Sequence, residues 1–135
     1  MLESFAVRDA ILGFYEGVST KAIERFDDIV SSDPATVVIG TAPGEIIRDR
    51  KGLRFGFETE GITIEGDNPI GYEEGSMGWG IDEPRFVFPD GSGMRTRLSA
   101  VLRREDDRWK VVHMHFSAGV PDEEVVALQE QWGVT

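Results

Sequence analysis

The sequence contains no cysteine. Thiol catalysis, disulfide staples and cysteine-bound zinc are therefore excluded, and the redox compartment is left open. Cations are also scarce: 14 Lys and Arg stand against 25 Asp and Glu, a formal net charge of −11. A surface of that sign repels phosphate backbones and anionic membranes. The basic pair Arg103-Arg104 touches a turn. Nucleic acid and membrane are not expected as partners. No apolar run approaches the length that spans a bilayer, and Glu3, Arg8 and Asp9 deny the N-terminus the apolar core of a signal peptide. A soluble cytoplasmic protein is the expectation. Only two histidines are present, so a histidine metal site has few ligands to draw on.

What remains is ordinary globular material, 40% hydrophobic and 29% charged over 135 residues, and one domain (1–135) is expected. The most informative stretch is Met94 to Ser117. Two long alternating runs flank the acidic turn Glu105-Asp106-Asp107, the pattern of a long antiparallel hairpin. Before it, Leu2–Val18 reads as a helix with Val7, Ile11, Phe14 and Val18 on one stripe. A second helix, capped by Ser19 or Thr20, is expected over Lys21–Ile29, and an irregular third over Asp49–Glu60. Short strands are expected at Thr36–Gly40 and Glu45–Ile47, and longer ones at Ile62–Tyr72 and Gly75–Phe88. The sequence Pro89-Asp90-Gly91-Ser92-Gly93 reads as a hairpin turn. Pro121 opens a last helix carrying Val125, Val126, Leu128 and Trp132. Helices followed by a long meander predict an α+β domain: a cone-like, strongly curved antiparallel sheet with the N-terminal helices on its concave face. Bending is expected at Gly66, Gly71, Gly78 and Gly80.

The run from Leu102 through Trp109, His113 and His115 to Ser117 resembles the closing strands of the nuclear transport factor 2-like superfamily. It is most similar to the SnoaL-like branch that includes the association domain of calcium/calmodulin-dependent protein kinase II. Thr41–Glu45 and the Gly75–Trp79 strand fit the same branch. The resemblance implies the cone-like fold, a homodimer formed across the outer sheet face, and a pocket. It implies no single activity, since the superfamily hosts isomerases, cyclases, dehydratases, epoxide hydrolases and assembly domains. The chain departs from its relatives where their chemistry sits. Phe116 stands at the matching point of a pocket arginine of the kinase domains, and the others fall near Glu83 and Ala100. Tyr15 matches the first-helix tyrosine of ketosteroid isomerases, without a match for that family's two acids.

Alternation divides the sheet into two faces. Trp109, Val111, His113, His115 and Ser117 are expected on one face, with Arg97, Gly78 and Gly80, looking outward to a second copy. Lys110, Val112, Met114 and Phe116 share the other. The cavity is expected to be lined by Tyr15, Phe57, Trp79, Ile81, Leu98, Met114 and Phe116, a list that any core would also give. Glu45, Glu83 and His115 are the catalytic candidates: carboxyls in an apolar surround favour the neutral form, and an imidazole titrates near neutrality. His113 and His115, two apart on a strand, have metal-site spacing. Glu73, Asp82 and Glu83 are the possible third ligands, but no full ligand set is evident and no metal is expected. Two functions stay open. One is a small-molecule-binding protein acting as a cofactor-independent isomerase, cyclase or hydratase. The other is a non-catalytic dimerisation or ligand-binding module. No kinase segment precedes the domain, so it is not expected to tether an enzyme in the same chain.

Overall fold

A computed structural model describes residues 1–59 and 61–133. Strand β1 (Leu2–Glu3) leads into helix α1 (Phe5–Ser19), a 3-10 turn (Ile23–Arg25) and the short α2 (Phe26–Ile29). Then come β2 (Val37–Ile39), β3 (Ile46–Ile47), α3 (Arg50–Glu58), β4 (Thr63–Glu65), β5 (Ile70–Glu74) and β6 (Met77–Asp82). The chain ends with β7 (Arg85–Val87), β8 (Gly93–Arg95), β9 (Arg97–Glu105), β10 (Arg108–Ser117) and α4 (Asp122–Trp132). Among the described residues no helix is long and apolar enough to cross a membrane.

The architecture is α+β and mostly antiparallel, as expected; β2 alone runs parallel to its neighbour β10. The strong single curl does not form. The ladders divide into a seven-stranded sheet, in the order β1-β5-β6-β9-β10-β2-β3, and a three-stranded sheet, β4-β7-β8. The division falls at a pinned corner. Buried Thr96 donates both its N–H and its hydroxyl to the carbonyl of Pro84, at 2.9 Å each, between β6 and β7 on one side and β8 and β9 on the other. A proline cannot donate to a ladder, so the sheet breaks there.

Helix α1 lies on the inner face. Ser4 caps it, accepting from the Val7 N–H at 3.1 Å, and Val7, Ile11, Phe14 and Val18 are buried as their spacing requires. The helix can approach because β5 and β6 present glycines beneath it. A Cβ on Gly78 would stand 2.8 Å from Val7 Cγ2, and one on Gly80 would overlap the Ile11 side chain. Gly78 and Gly80 thus face the helices, not a partner as the alternation suggested; their work is clearance.

The second helix is shorter than expected. Thr20 bonds back to the Glu16 carbonyl and finishes α1, Ser19 accepts from Ile64, and Lys21 takes a left-handed φ of 54°, so no cap remains for a helix from residue 21. The third helix forms with Asp49 as its cap, its side chain accepting from Gly52 at 3.2 Å. Its expected last residue, Glu60, lies outside the described residues.

The long hairpin is present, turned by Asp106 and Asp107 at φ 50° and 63°, the pair of positive dihedrals a tight two-residue hairpin needs. One irregularity changes its meaning. Val111 pairs with Leu102 but His113 pairs with Val101, so Val112 is an extra residue, a β-bulge. Alternation slips by one there. Trp109 and Val111 therefore face the helices rather than the partner side: Val111 is buried, and Trp109 packs against the core beside Gly78. Beyond the bulge the expected assignment holds, with Met114 and Phe116 buried and His115 exposed between them.

The hairpin tip is tied down by an ionic cluster. Arg103 donates to Glu105 Oε2 at 2.7 Å and to Asp33 at 3.0 Å, and the Ser31 hydroxyl donates to the same Glu105 oxygen at 2.6 Å. The Ala35 N–H and Arg103 hold the Asp33 carboxyl below its ordinary range. Burial pushes Glu105 upward, but the bonds from Ser31 and Arg103 outweigh it and leave that carboxyl lowered as well. Both groups bind protons more weakly folded than unfolded. Their stabilisation is complete above the ordinary carboxyl values, about pH 4, and is lost as pH falls through the lowered ones. Arg103→Met should therefore flatten the acid limb of a plot of urea midpoint against pH, while leaving the chain folded at neutral pH. An acid limb as steep as that of the parent would show that the cluster does not carry it.

Candidate functional site

A cavity of about 330 Å³ opens between the C-terminal half of α1, helix α3, the β2–β3 hairpin and the small sheet. Phe14 and Val18 come from α1, Val38 and Ile47 from the hairpin, Phe55 and Gly56 from α3, Ile64 and Phe86 from the small sheet, and Phe116 from β10. A second hollow of about 80 Å³ continues inward, sharing Phe14, Val18, Val38 and Ile47 and reaching Phe57. The division of the sheet creates the space, because the small sheet leans against α1 and leaves a gap toward α3.

The walls are apolar, with few polar groups: Glu45, Lys21 and Thr59. Glu45 is fixed by the turn it closes. Its carboxylate accepts from the Ala42 N–H at 3.1 Å and lies where a Cβ on residue 40 would be, so only a glycine there admits it. Among the described residues no buried side-chain nitrogen or oxygen lacks a partner. The arrangement suits a compact, mostly apolar molecule with one polar end near Glu45.

A larger cleft of about 410 Å³ lies at the opposite end of α1, edged by Arg25, Asp28 and Arg108. It is open, and its charges pair with one another or nearby: Arg108 with Asp28 at 3.5 Å, Arg25 with Glu16 at 3.8 Å. It offers less enclosure and less apolar wall than the cavity beside Glu45.

The expected site residues separate into three groups. Glu45 and Phe116 line the cavity and Phe57 lines its inner hollow. Tyr15, Leu98 and Met114 are buried core residues on the same face but outside the cavity wall. Trp79 and Ile81 are on the outer face, 38% and 47% exposed, so the placement expected for them is reversed. The cause is the glycine clearance beneath α1: with Gly78 and Gly80 turned inward, alternation sends Trp79 and Ile81 out. Glu83 is exposed at the far corner, and His115 is exposed on the outer face. His113 is half-buried, its Nδ1 3.2 Å from the Val37 carbonyl. Among the described residues no third ligand joins the histidines.

Tyr15 has a partner that the spacing did not reveal. Its hydroxyl donates to Asp82 Oδ2 at 2.9 Å, and the Asp67 and Asn68 N–H groups donate to the same carboxylate at 3.3 and 3.0 Å. Burial, and then the Asp82 charge, push the phenol far above its ordinary value. Tyr15 thus stays a proton donor to Asp82 and fastens α1 to the 66–69 loop. Phe14, Val18, Phe86 and the 38–47 hairpin were not assigned to the site from sequence; the stripe on α1 marked Phe14 and Val18 as buried without showing that they border a hollow.

A SnoaL-like domain model matches residues 7–122. No curated protein matches the sequence at a significant level. Among solved structures, a nuclear transport factor 2-like superfamily protein from Salmonella enterica is similar at 18% identity and TM-score 0.70, covering 84% of this chain and 89% of that one. A nuclear transport factor 2-like protein of unknown function from Pseudomonas putida is similar at 16% identity and TM-score 0.68, with 87% of each chain covered. The association domain of the C. elegans calcium/calmodulin-dependent protein kinase II aligns at 19% identity and TM-score 0.64, over 83% of this chain and 92% of that one. At these identities the likeness establishes the fold and leaves the chemistry to the residues present.

Proposed function

Taking as premise that this chain belongs to the SnoaL-like domain family, we propose that it binds a small, largely apolar molecule in the cavity beside Glu45. The observation that carries the reading is the hollow itself: about 330 Å³ of mostly apolar-walled space, open on one side, with the exposed carboxylate of Glu45 held at its rim. Such a group can take a proton from, or return one to, a ligand carbon or oxygen without a cofactor, which is the chemistry of an isomerase, cyclase or hydratase. Glu83 and His115 stand outside the cavity and have no part in this reading.

A cavity-filling variant tests binding. A Cβ on Gly56 meets nothing within 4 Å, so Gly56→Phe can project its ring into the hollow without displacing backbone. In a thermal-shift screen of polycyclic ketones and small aromatic acids, a ligand at 100 times its dissociation constant stabilises the parent by about 2.7 kcal/mol. Gly56→Phe should abolish that shift, while Glu83→Gln and His115→Ala should keep it. A shift of parental size in Gly56→Phe would place the ligand elsewhere. For a ligand that is turned over, Glu45→Gln should lower kcat by about 100-fold or more. Unchanged turnover in Glu45→Gln would leave the non-catalytic binding module as the function.

We also propose self-association through the outer face of the large sheet. The strand register sets two rows across it: Tyr72, Trp79, Val101, His113 and Val37, then Ile70, Ile81, Ser99, His115 and Ile39. Aromatic and aliphatic groups in the open, with Tyr72 stacked on Trp79 at 4.8 Å, suit burial against a second copy. The similarity to an association domain supports this.

A further inference from the structure

Helix α3 turns one side to the cavity. Gly52, Phe55, Gly56 and the capping Thr59, at helical spacing, line it, while Leu53 and Phe57 are buried in the core. Glycine weakens a helix interior relative to alanine, so each of the two needs a reason. Gly52 has one. A Cβ there would stand 2.8 Å from the Asp49 carboxylate that caps the helix and 2.9 Å from Ile47 Cγ2. Gly56 has none within the protein. Its φ is not left-handed, and a Cβ there would meet nothing within 4 Å. The space it leaves is the cavity.

Phe55 raises the same question with a large side chain. It is 62% exposed, adds nothing to the core, and among the described residues no second ring packs on it. A phenyl ring in open water gains nothing by itself. At the mouth of a hollow it is a contact for whatever enters. The other walls match it. Phe116 lies 6.5 Å from Phe14 and 5.1 Å from Phe86 between ring centroids, so three packed rings border the same space. Bare helix backbone beside an aromatic ring fits a flat body. The polar groups of the wall are acceptors on Glu45, donors on Lys21 and the Thr59 hydroxyl. A hydroxyl on the ligand both donates and accepts, so it can answer any of them.

We infer that the cavity takes a flat, hydroxylated aromatic molecule, that Phe55 packs on its face, and that Gly56 stays bare so that it can lie against α3. This rests on the cavity binding proposed above and adds the class of ligand and the two residues that select it.

Titration calorimetry of the full chain with 2-naphthol and with decahydro-2-naphthol, its saturated counterpart, tests this. The parent should bind 2-naphthol about fivefold or more tighter than the saturated alcohol, the gain expected where rings pack on rings. Phe55→Ala should erase most of that preference and Phe55→Tyr should keep it. Residue 55 is exposed, so neither variant should lower the urea midpoint. Gly56→Leu should weaken 2-naphthol binding by about tenfold or more and at the same time raise the urea midpoint, since leucine favours a helix. A residue with only a structural role would not move affinity and stability in opposite directions. If the parent binds both alcohols alike, or Phe55→Ala keeps the preference, the ring contact is wrong, and weaker binding in Gly56→Leu would still support the cavity. Parental binding of 2-naphthol by Gly56→Leu would overturn the role of Gly56. If neither alcohol binds at about 1 mM, the class of ligand is wrong. The cavity would then stand only on another compound whose thermal shift Gly56→Phe abolishes.

Discussion

Gly71→Val is expected to lower the unfolding free energy by about 4 kcal/mol or more, enough to leave a domain of ordinary stability largely unfolded. The reason is that the obstacle is backbone. A Cβ at residue 71 would stand 2.7 Å from the Arg8 nitrogen and 3.0 Å from the Ser4 carbonyl oxygen, with Val7 Cγ1 at 2.9 Å. Those atoms belong to the capped first turn of α1, and the same turn is bound to β5 by the Ser4 N–H donating to the Gly71 carbonyl at 2.7 Å. Side chains can change rotamer to admit a methyl group, but a helix start hydrogen-bonded to the strand beneath it cannot. Relieving the overlap means lifting α1, which uncovers Val7 and Ile11, both fully buried. Overpacking with such a consequence exceeds the usual loss of about 1–3 kcal/mol. Urea unfolding followed by fluorescence measures it. A loss below about 1 kcal/mol would show that α1 is not seated as described. Gly56→Ala is the contrast: its Cβ meets open space within α3, and it should stabilise by about 0.5–1 kcal/mol.

Phe57→Ala should cost about 3–5 kcal/mol. The ring is 1% exposed and is the hub of the aromatic core, edge-on to Phe14 at 5.6 Å and to Phe26 at 5.2 Å. Each geometry adds to the area buried, because the positive edge of one ring meets the negative face of another. Removal would also join a new void to the existing hollow of about 80 Å³ rather than leave a space that can collapse. The loss should therefore fall toward the upper end of the range, and larger ligands should be admitted. A loss under about 2 kcal/mol, by the same urea titration, would mean that α3 relaxes inward.

The candidate site was legible only in part. Phe57, Phe116 and Glu45 border the cavity or its inner hollow, and each sits on a segment whose burial or turn chemistry is local. Trp79 and Ile81 were misassigned because a strand reading large-Gly-large-Gly-large does not say which side is up. The large residues suggested a core; the structure uses the glycines for it. Trp109 and Val111 changed faces through one inserted residue, Val112, which leaves no mark on the alternation of a run this apolar. By residue type Asp82 offers a metal ligand; in the fold it receives the Tyr15 hydroxyl across 67 residues of sequence.

Residue chemistry alone, without coordinates, was enough for the α+β class, the N-terminal helix and its buried stripe, the long acidic-turned hairpin, and the exclusion of thiol chemistry. These follow from periodicities of 3.6 and 2, from backbone preferences at Asp and Gly, and from composition, all of which act within a few residues. Folding in three dimensions settled which side of β6 meets α1, where the sheet breaks at Pro84 and Thr96, and therefore where the hollow lies. Those outcomes depend on contacts between segments tens of residues apart, where the clearance of a single Cβ or the insertion of a single valine reverses a whole face.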